Sequence, residues 1–170
     1  WSIGPAGEDK IFIDGRVNNH VVGDVASNNR KDIITVRRSG RVVGTVYGDG
    51  SGNNANGGWD TITIRGQVDS DVLGDDVGGN GGNDFSAVRQ GGKVLGRIAG
   101  DRASKSGGND TITVINGSVS GNVVGDDVSQ NGGDDSIRVQ VAGTVGGNIA
   151  GDVVNGGYTG GDDDIFISGT

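Results

Sequence analysis

Cysteine and methionine are absent from the 170 residues, and proline occurs once. Without thiols there is no disulfide framework, no thiolate metal site and no cysteine nucleophile, so a secreted chain of this composition has to be stabilised by other means. Only seven aromatics are present, and leucine is limited to Leu73 and Leu95, which leaves few large side chains for a globular core. The single histidine, His20, lies among Asn18-Asn19-His20, where a solvated turn residue is expected. A Ser-His-Asp relay would need two partners to place it. No apolar run approaches the length of a membrane span. Net charge is −8 with the basic residues scattered, the opposite of the dense cationic face that a nucleic-acid backbone requires. The chain opens at Trp1 without Met or an apolar leader, and is expected to be a mature or excised piece.

What the chain has in abundance is order at a fixed period. The octapeptide V-x-x-x-[V/I]-x-G-D occurs six times, beginning at Val17, Val42, Val68, Val94, Val119 and Val145 and recurring every 25 or 26 residues. A second element, D-x-[I]-x-[V/I], alternates apolar and polar residues as a half-buried strand does. Its seven copies open at Asp9, Asp32, Asp60, Asp84, Asp110, Asp135 and Asp163, and each marks the start of a repeat unit. In the fourth copy Ser86 takes an apolar place between Phe85 and Ala87, so either that strand slips by one residue or the core accepts a small side chain. The 37 glycines sit beside Asn and Asp at repeated positions, which marks turns rather than disorder. Five of the turns close as G-G-x-D, the first being Gly57-Gly58-Trp59-Asp60.

A unit of this size with two or three short strands cannot bury its own apolar side. Neighbours must stack, so that each Val or Ile column continues through the array. The expectation is an all-β fold: a parallel β-solenoid (β-helix or β-roll) of about six turns of ~25 residues, forming one domain over 1–170, with strands ~4.8 Å apart.

Stacking in register places the Gly-Asp carboxylates, among them Asp75, Asp101, Asp126 and Asp152, in one column and the strand-leading carboxylates in another. Two unit charges ~4.8 Å apart repel by roughly 3–4 kcal/mol at an effective dielectric of 20. Such columns must splay into solvent, accept turn N–H bonds or share cations. Ca²⁺ suits a set made only of oxygen donors. The G-G-x-D turns followed by alternating strands resemble the calcium-binding turns of the RTX (repeats-in-toxin) family, whose glycine-rich repeats wind a parallel β-roll around rows of Ca²⁺. That resemblance implies Asp60, Asp84, Asp110, Asp135 and Asp163 as metal ligands, with turn carbonyls completing the shell. Beside it stands a plainer account, in which Asp next to Gly caps turns with no metal. The second turn lacks G-G-x-D and carries Arg30-Lys31 before Asp32, as though fixed cations replaced an ion there.

The function expected is non-enzymatic: a secreted, extracellular or cell-surface stalk, adhesin segment or filament subunit, calcium-stabilised, associating end to end or holding a cell-surface or polysaccharide ligand. The alternative is an RTX-like polysaccharide-binding module of a secreted carbohydrate-active enzyme. Paired carboxylates abound, yet no long, dissimilar loops exist to build a catalytic cleft. The T-x-T pairs at 61–63 and 111–113 suggest an ice-binding face, which Lys10, Phe85 and Arg138 interrupt.

Overall fold

A computed structural model describes residues 7–25, 30–50 and 55–168. Trp1-Ser2-Ile3-Gly4-Pro5, a segment that from sequence could fold over one end of the coil, and Asn53-Asn54 of one glycine-rich turn lie outside these. The chain winds as a parallel β-solenoid with three faces. The first face is a seven-stranded sheet running from Lys10–Ile13 to Asp164–Ser168. The second is a six-stranded sheet of two-residue strands from Arg16–Val17 to Thr144–Val145. The third, also six-stranded, runs from Val21–Asp24 to Ile149–Val154. All pairings are parallel and join equivalent repeat positions, for example Ile62 with Ile34 and Val72 with Val46. No helix of the described residues is long and apolar enough to cross a membrane.

Each of the first six layers places four side chains inside the coil, all of them branched except in the fourth. In the second layer these are Ile34, Val36, Val42 and Val46, all fully buried. The octapeptide spans the corner from the second face to the third, which is why its two branched residues are four apart and both point inward. The fourth strand does not slip: Ser86 pairs with Ile62 below and Ile112 above, and it is buried. Its hydroxyl has no hydrogen-bond partner there. A register shift would have turned Val88 outward as well, so the core accepts one small polar group instead. The outward array expected on this face is not uniformly solvated, since Ala87 and Thr113 are buried between their ladder neighbours.

The turn from first face to second is tight and left-handed in places, with Gln90 at φ 55° and Gly91 at φ 86°. The turn from third face back to first is the glycine-rich one. It sets the candidate site.

Candidate metal centre

In layers three to six the third-face strand continues past its Gly-Asp, and a small apolar cluster of Val77, Ala103 and Val128, with Val154 packed against it, sits just beyond the carboxylates. Four consecutive residues, Val72 to Asp75, are therefore buried, with the core on one side and the returning loop on the other. The Gly of each Gly-Asp has to be glycine: a Cβ on Gly100 would overlap the Asp110 carboxylate. The loop glycines make room in the same way, since a Cβ on Gly107 would run into Asp126.

This packing brings the two carboxylate columns face to face. They were expected as two separate columns that splay into solvent, accept turn N–H bonds or share cations; instead they interleave in one row. Five clusters result: Asp24/Asp32/Asp49, Asp49/Asp60/Asp75, Asp75/Asp84/Asp101, Asp101/Asp110/Asp126 and Asp126/Asp135/Asp152. In each, one oxygen from every residue lies within 4.8 Å of the others. The fifteen ligand places are filled by eleven aspartates, because Asp49, Asp75, Asp101 and Asp126 each serve two clusters.

One oxygen of each carboxylate is held by backbone. Asp110 Oδ1 accepts the Asp84 N–H at 2.6 Å, and the same bond recurs from layer to layer along the strand-leading column. Asp101 Oδ2 accepts the Gly108 N–H at 2.8 Å, and Gly82, Gly133 and Gly161 donate likewise to Asp75, Asp126 and Asp152. Asp75 has both oxygens held, Oδ1 accepting the Asp49 N–H at 3.2 Å as well, but in nine of the eleven aspartates one oxygen is left over. Oδ2 of Asp32, Asp60, Asp84, Asp110 and Asp135, and Oδ1 of Asp49, Asp101, Asp126 and Asp152, are buried with no partner. These unpartnered atoms belong to the cluster residues. An unpaired buried carboxylate oxygen is costly, so each of these atoms calls for a cation or a proton.

Burial is the main reason the carboxyls resist ionisation. It pushes Asp32 up to about 6 and, with the Asp75 charge adding, Asp49 up to about 8. Asp84, Asp101 and Asp110 are raised well above the usual carboxylate range, again by burial first and neighbouring aspartates second. The row therefore does not carry eleven bare charges at neutral pH.

Of the residues expected as ligands, Asp60, Asp75, Asp84, Asp101, Asp110, Asp126, Asp135 and Asp152 all enter the clusters. Asp163 does not: its Oδ1 accepts the Asp135 N–H at 3.0 Å, but it is exposed and no further Gly-Asp layer faces it among the described residues. Arg30 and Lys31 are both exposed and neither pairs directly with Asp32, whose Oδ2 is as unpartnered as its counterparts. Asp24 and Asp32 were overlooked as ligands because the turn between them lacks G-G-x-D, and Asp49 was overlooked although its turn closes as Gly57-Gly58-Trp59-Asp60; all three carry the same Gly-Asp or strand-leading motifs as the rest. His20 is far from this row; its Nδ1 accepts the Thr45 N–H at 3.0 Å and its ring tilts against Tyr47.

The donor set is entirely carboxylate oxygen, with no nitrogen or sulfur, which fits a hard cation. No family model, curated protein or solved structure matches the chain.

Proposed function

We propose that the chain is a structural rod whose interior row of aspartates is filled by calcium, and that it serves outside the cell as a stalk or adhesin segment rather than as a catalyst. The observation that carries this reading is that buried Asp84, Asp101 and Asp110 each keep an oxygen without a partner and belong to clusters in which carboxylate oxygens lie within 4.8 Å of one another. Eleven carboxylates are balanced to within one charge by five divalent ions. Calcium tolerates irregular, anionic, largely dehydrated oxygen cages, whereas Mg²⁺ keeps several waters that a glycine-tight interior has no room for. Extracellular calcium modules bind at ~10⁻⁴–10⁻³ M, a range that makes such a rod stiff outside cells.

The test is a count and a melt. Equilibrium dialysis should find about five Ca²⁺ per chain, as the five clusters require. With a dissociation constant of ~10⁻⁴ M, millimolar Ca²⁺ stabilises by about 1.4 kcal/mol per site, or about 7 kcal/mol over the five clusters. That is a large share of the ~5–15 kcal/mol by which domains are stable. Melts in millimolar Ca²⁺ and in EDTA at pH 8 should therefore lie far apart; if they superimpose, the row holds no metal.

End-to-end association is supported by the apolar C-terminal edge, where Ile165, Phe166 and Ile167 are 42, 49 and 65% exposed. Geometry sets a condition on it. Seating a second copy's Arg16–Val17 and Val21–Asp24 on Thr144–Val145 and Ile149–Val154 brings its Lys10–Ile13 to the level held by Asp164–Ser168. One of those two strands has to yield. If the apolar edge drives stacking, the second copy's Lys10–Ile13 is the strand displaced, so deleting residues 164–170 should weaken association in light scattering, and an unchanged size distribution removes end-to-end stacking from the proposal.

A further inference from the structure

With half of the 22 acidic residues in the buried row, the other eleven face fourteen Lys and Arg, so the exterior carries an excess of positive charge despite the net −8. The excess is concentrated. Arg37, Arg65 and Arg89 follow the first-face strand in three successive layers. Arg16, Arg41 and Lys93 open second-face strands directly across the turn, and Arg38 lies on the turn itself. Two carboxylates answer them, and both are already engaged: Asp14 with Arg37 at 2.8 Å and Asp69 with Arg41 at 2.6 Å. Arg38 and Arg65 are exposed and have no carboxylate partner among the described residues.

Between them runs an open groove of about 480 Å³, floored by Thr35 and Thr63 and flanked by Arg38, Arg65, Ser39 and Gln90. We propose that this groove binds a linear anionic polysaccharide. Arg37 in the groove's lining is engaged by Asp14, but Arg38 and Arg65, on neighbouring layers, are each free to take a carboxylate or sulfate in a two-bond fork. The groove's hydroxyl and amide floor suits sugar hydroxyls. Single-stranded nucleic acid is the poorer occupant, because it needs free aromatic platforms and the one ring present, Phe12, is covered by Arg37 at 4.6 Å. The corner's charge does not depend on whether protons or calcium neutralise the row, so this inference stands or falls separately from the metal reading.

The experiment is titration of the calcium-loaded chain, freed of excess calcium, with dextran sulfate, hyaluronate, uncharged dextran and single-stranded DNA at low and high salt. The expected result is binding of the two anionic sugars that weakens with salt, as exposed charge pairs do, and no binding of dextran. The Arg38→Gln/Arg65→Gln variant should lose about tenfold or more in affinity for either sugar, as loss of charge-assisted bonds implies. Arg102→Gln, on the third face and paired with Asp76, should leave it unchanged. Both groove arginines are exposed, so the double variant should melt like the parent; if it does not, Arg38→Gln alone, on the turn, gives the same readout. Failure to hold either anionic sugar, equal binding of dextran, tighter binding of DNA, or unchanged affinity in the variants would each overturn the proposal.

Discussion

Asp101 and Asp163 carry the same side chain in one row, and the structure treats them oppositely. Asp101 lies in the middle of the rod, has no exposed surface, and belongs to two clusters. Asp163 lies at the last layer, is exposed, and belongs to none. They come from different motifs, Asp101 from a Gly-Asp and Asp163 from the head of a first-face strand, yet each lies against a glycine and each accepts a backbone N–H. The difference is what stacks above. Burial, and with it the cost of a bare charge, is conferred by the next layer, so the metal-binding capacity of a residue here is a property of its place in the array.

The largest effect that should separate middle from end is on stability against pH. In an unfolded chain these carboxyls titrate near 3.8; in the folded one burial moves Asp32 up to about 6 and Asp49 to about 8, and raises Asp84, Asp101 and Asp110 well above the usual carboxylate range. Above pH 3.8 the folded state therefore holds protons that the unfolded state has lost, so without metal the stabilising protons go as pH rises through the folded values. Calcium competes with those same protons. Melting temperature in EDTA should fall from pH 5 to pH 9, and in millimolar Ca²⁺ it should rise over the same range. Parallel curves in the two buffers would mean that the middle of the row titrates without binding ions.

The next largest effect comes from removing charge while keeping shape. Asparagine at position 101 retains an oxygen for the Gly108 N–H, so turn capping survives and only the anionic ligand is lost. Asp101→Asn should raise stability in EDTA at pH 8. In Ca²⁺ it should lower it by about 2.8 kcal/mol, two sites at about 1.4 kcal/mol each, since two clusters share this residue. Asp163→Asn should change either by no more than about 0.5 kcal/mol, as surface substitutions do. If Asp101→Asn is neutral in both buffers, the aspartates only cap turns and the contrast between middle and end is one of packing alone.

Much of this was legible before the structure. The period gives the coil, the strict four-residue spacing inside the octapeptide gives two inward branched residues across a corner, and alternation gives Ile62/Ile64 and its counterparts. The meeting of the two aspartate columns was not legible. Asp24 and Asp32 are eight residues apart, Asp75 and Asp84 nine, Asp49 and Asp60 eleven, so no fixed spacing announces that each pair converges. Alternation also misleads at Val72 to Asp75, where a loop returning over the outer side buries residues of both parities. The G-G-x-D turn pointed to the correct aspartates in layers three to six, but it made the second layer look exceptional when backbone stacking gives Asp32 the same place.

The smallest expected effect concerns the one interior position where a middle layer is weaker than its neighbours. Ser86 sits in a column otherwise made of Ile34, Ile62, Ile112 and Ile137, and its hydroxyl is buried without a partner. Leaving a polar group so costs about 1–3 kcal/mol relative to a satisfied one, and each methylene-sized group buried in its stead returns about 0.8 kcal/mol. Valine fits the strand better than serine, because branching at Cβ suits a pleated surface. The opposing term is crowding, since an overfilled core loses about 1–3 kcal/mol, and Ile62 and Ile112 press on the site from both sides. Ser86→Val adds only two carbons where the neighbouring layers hold four-carbon side chains, so burial should win and stability should rise by about 1 kcal/mol, the same in EDTA as in Ca²⁺. A denaturant melt that shows a loss instead, or a gain present only with calcium, would mean that the serine is set by the aspartate row beside it rather than left over in the core.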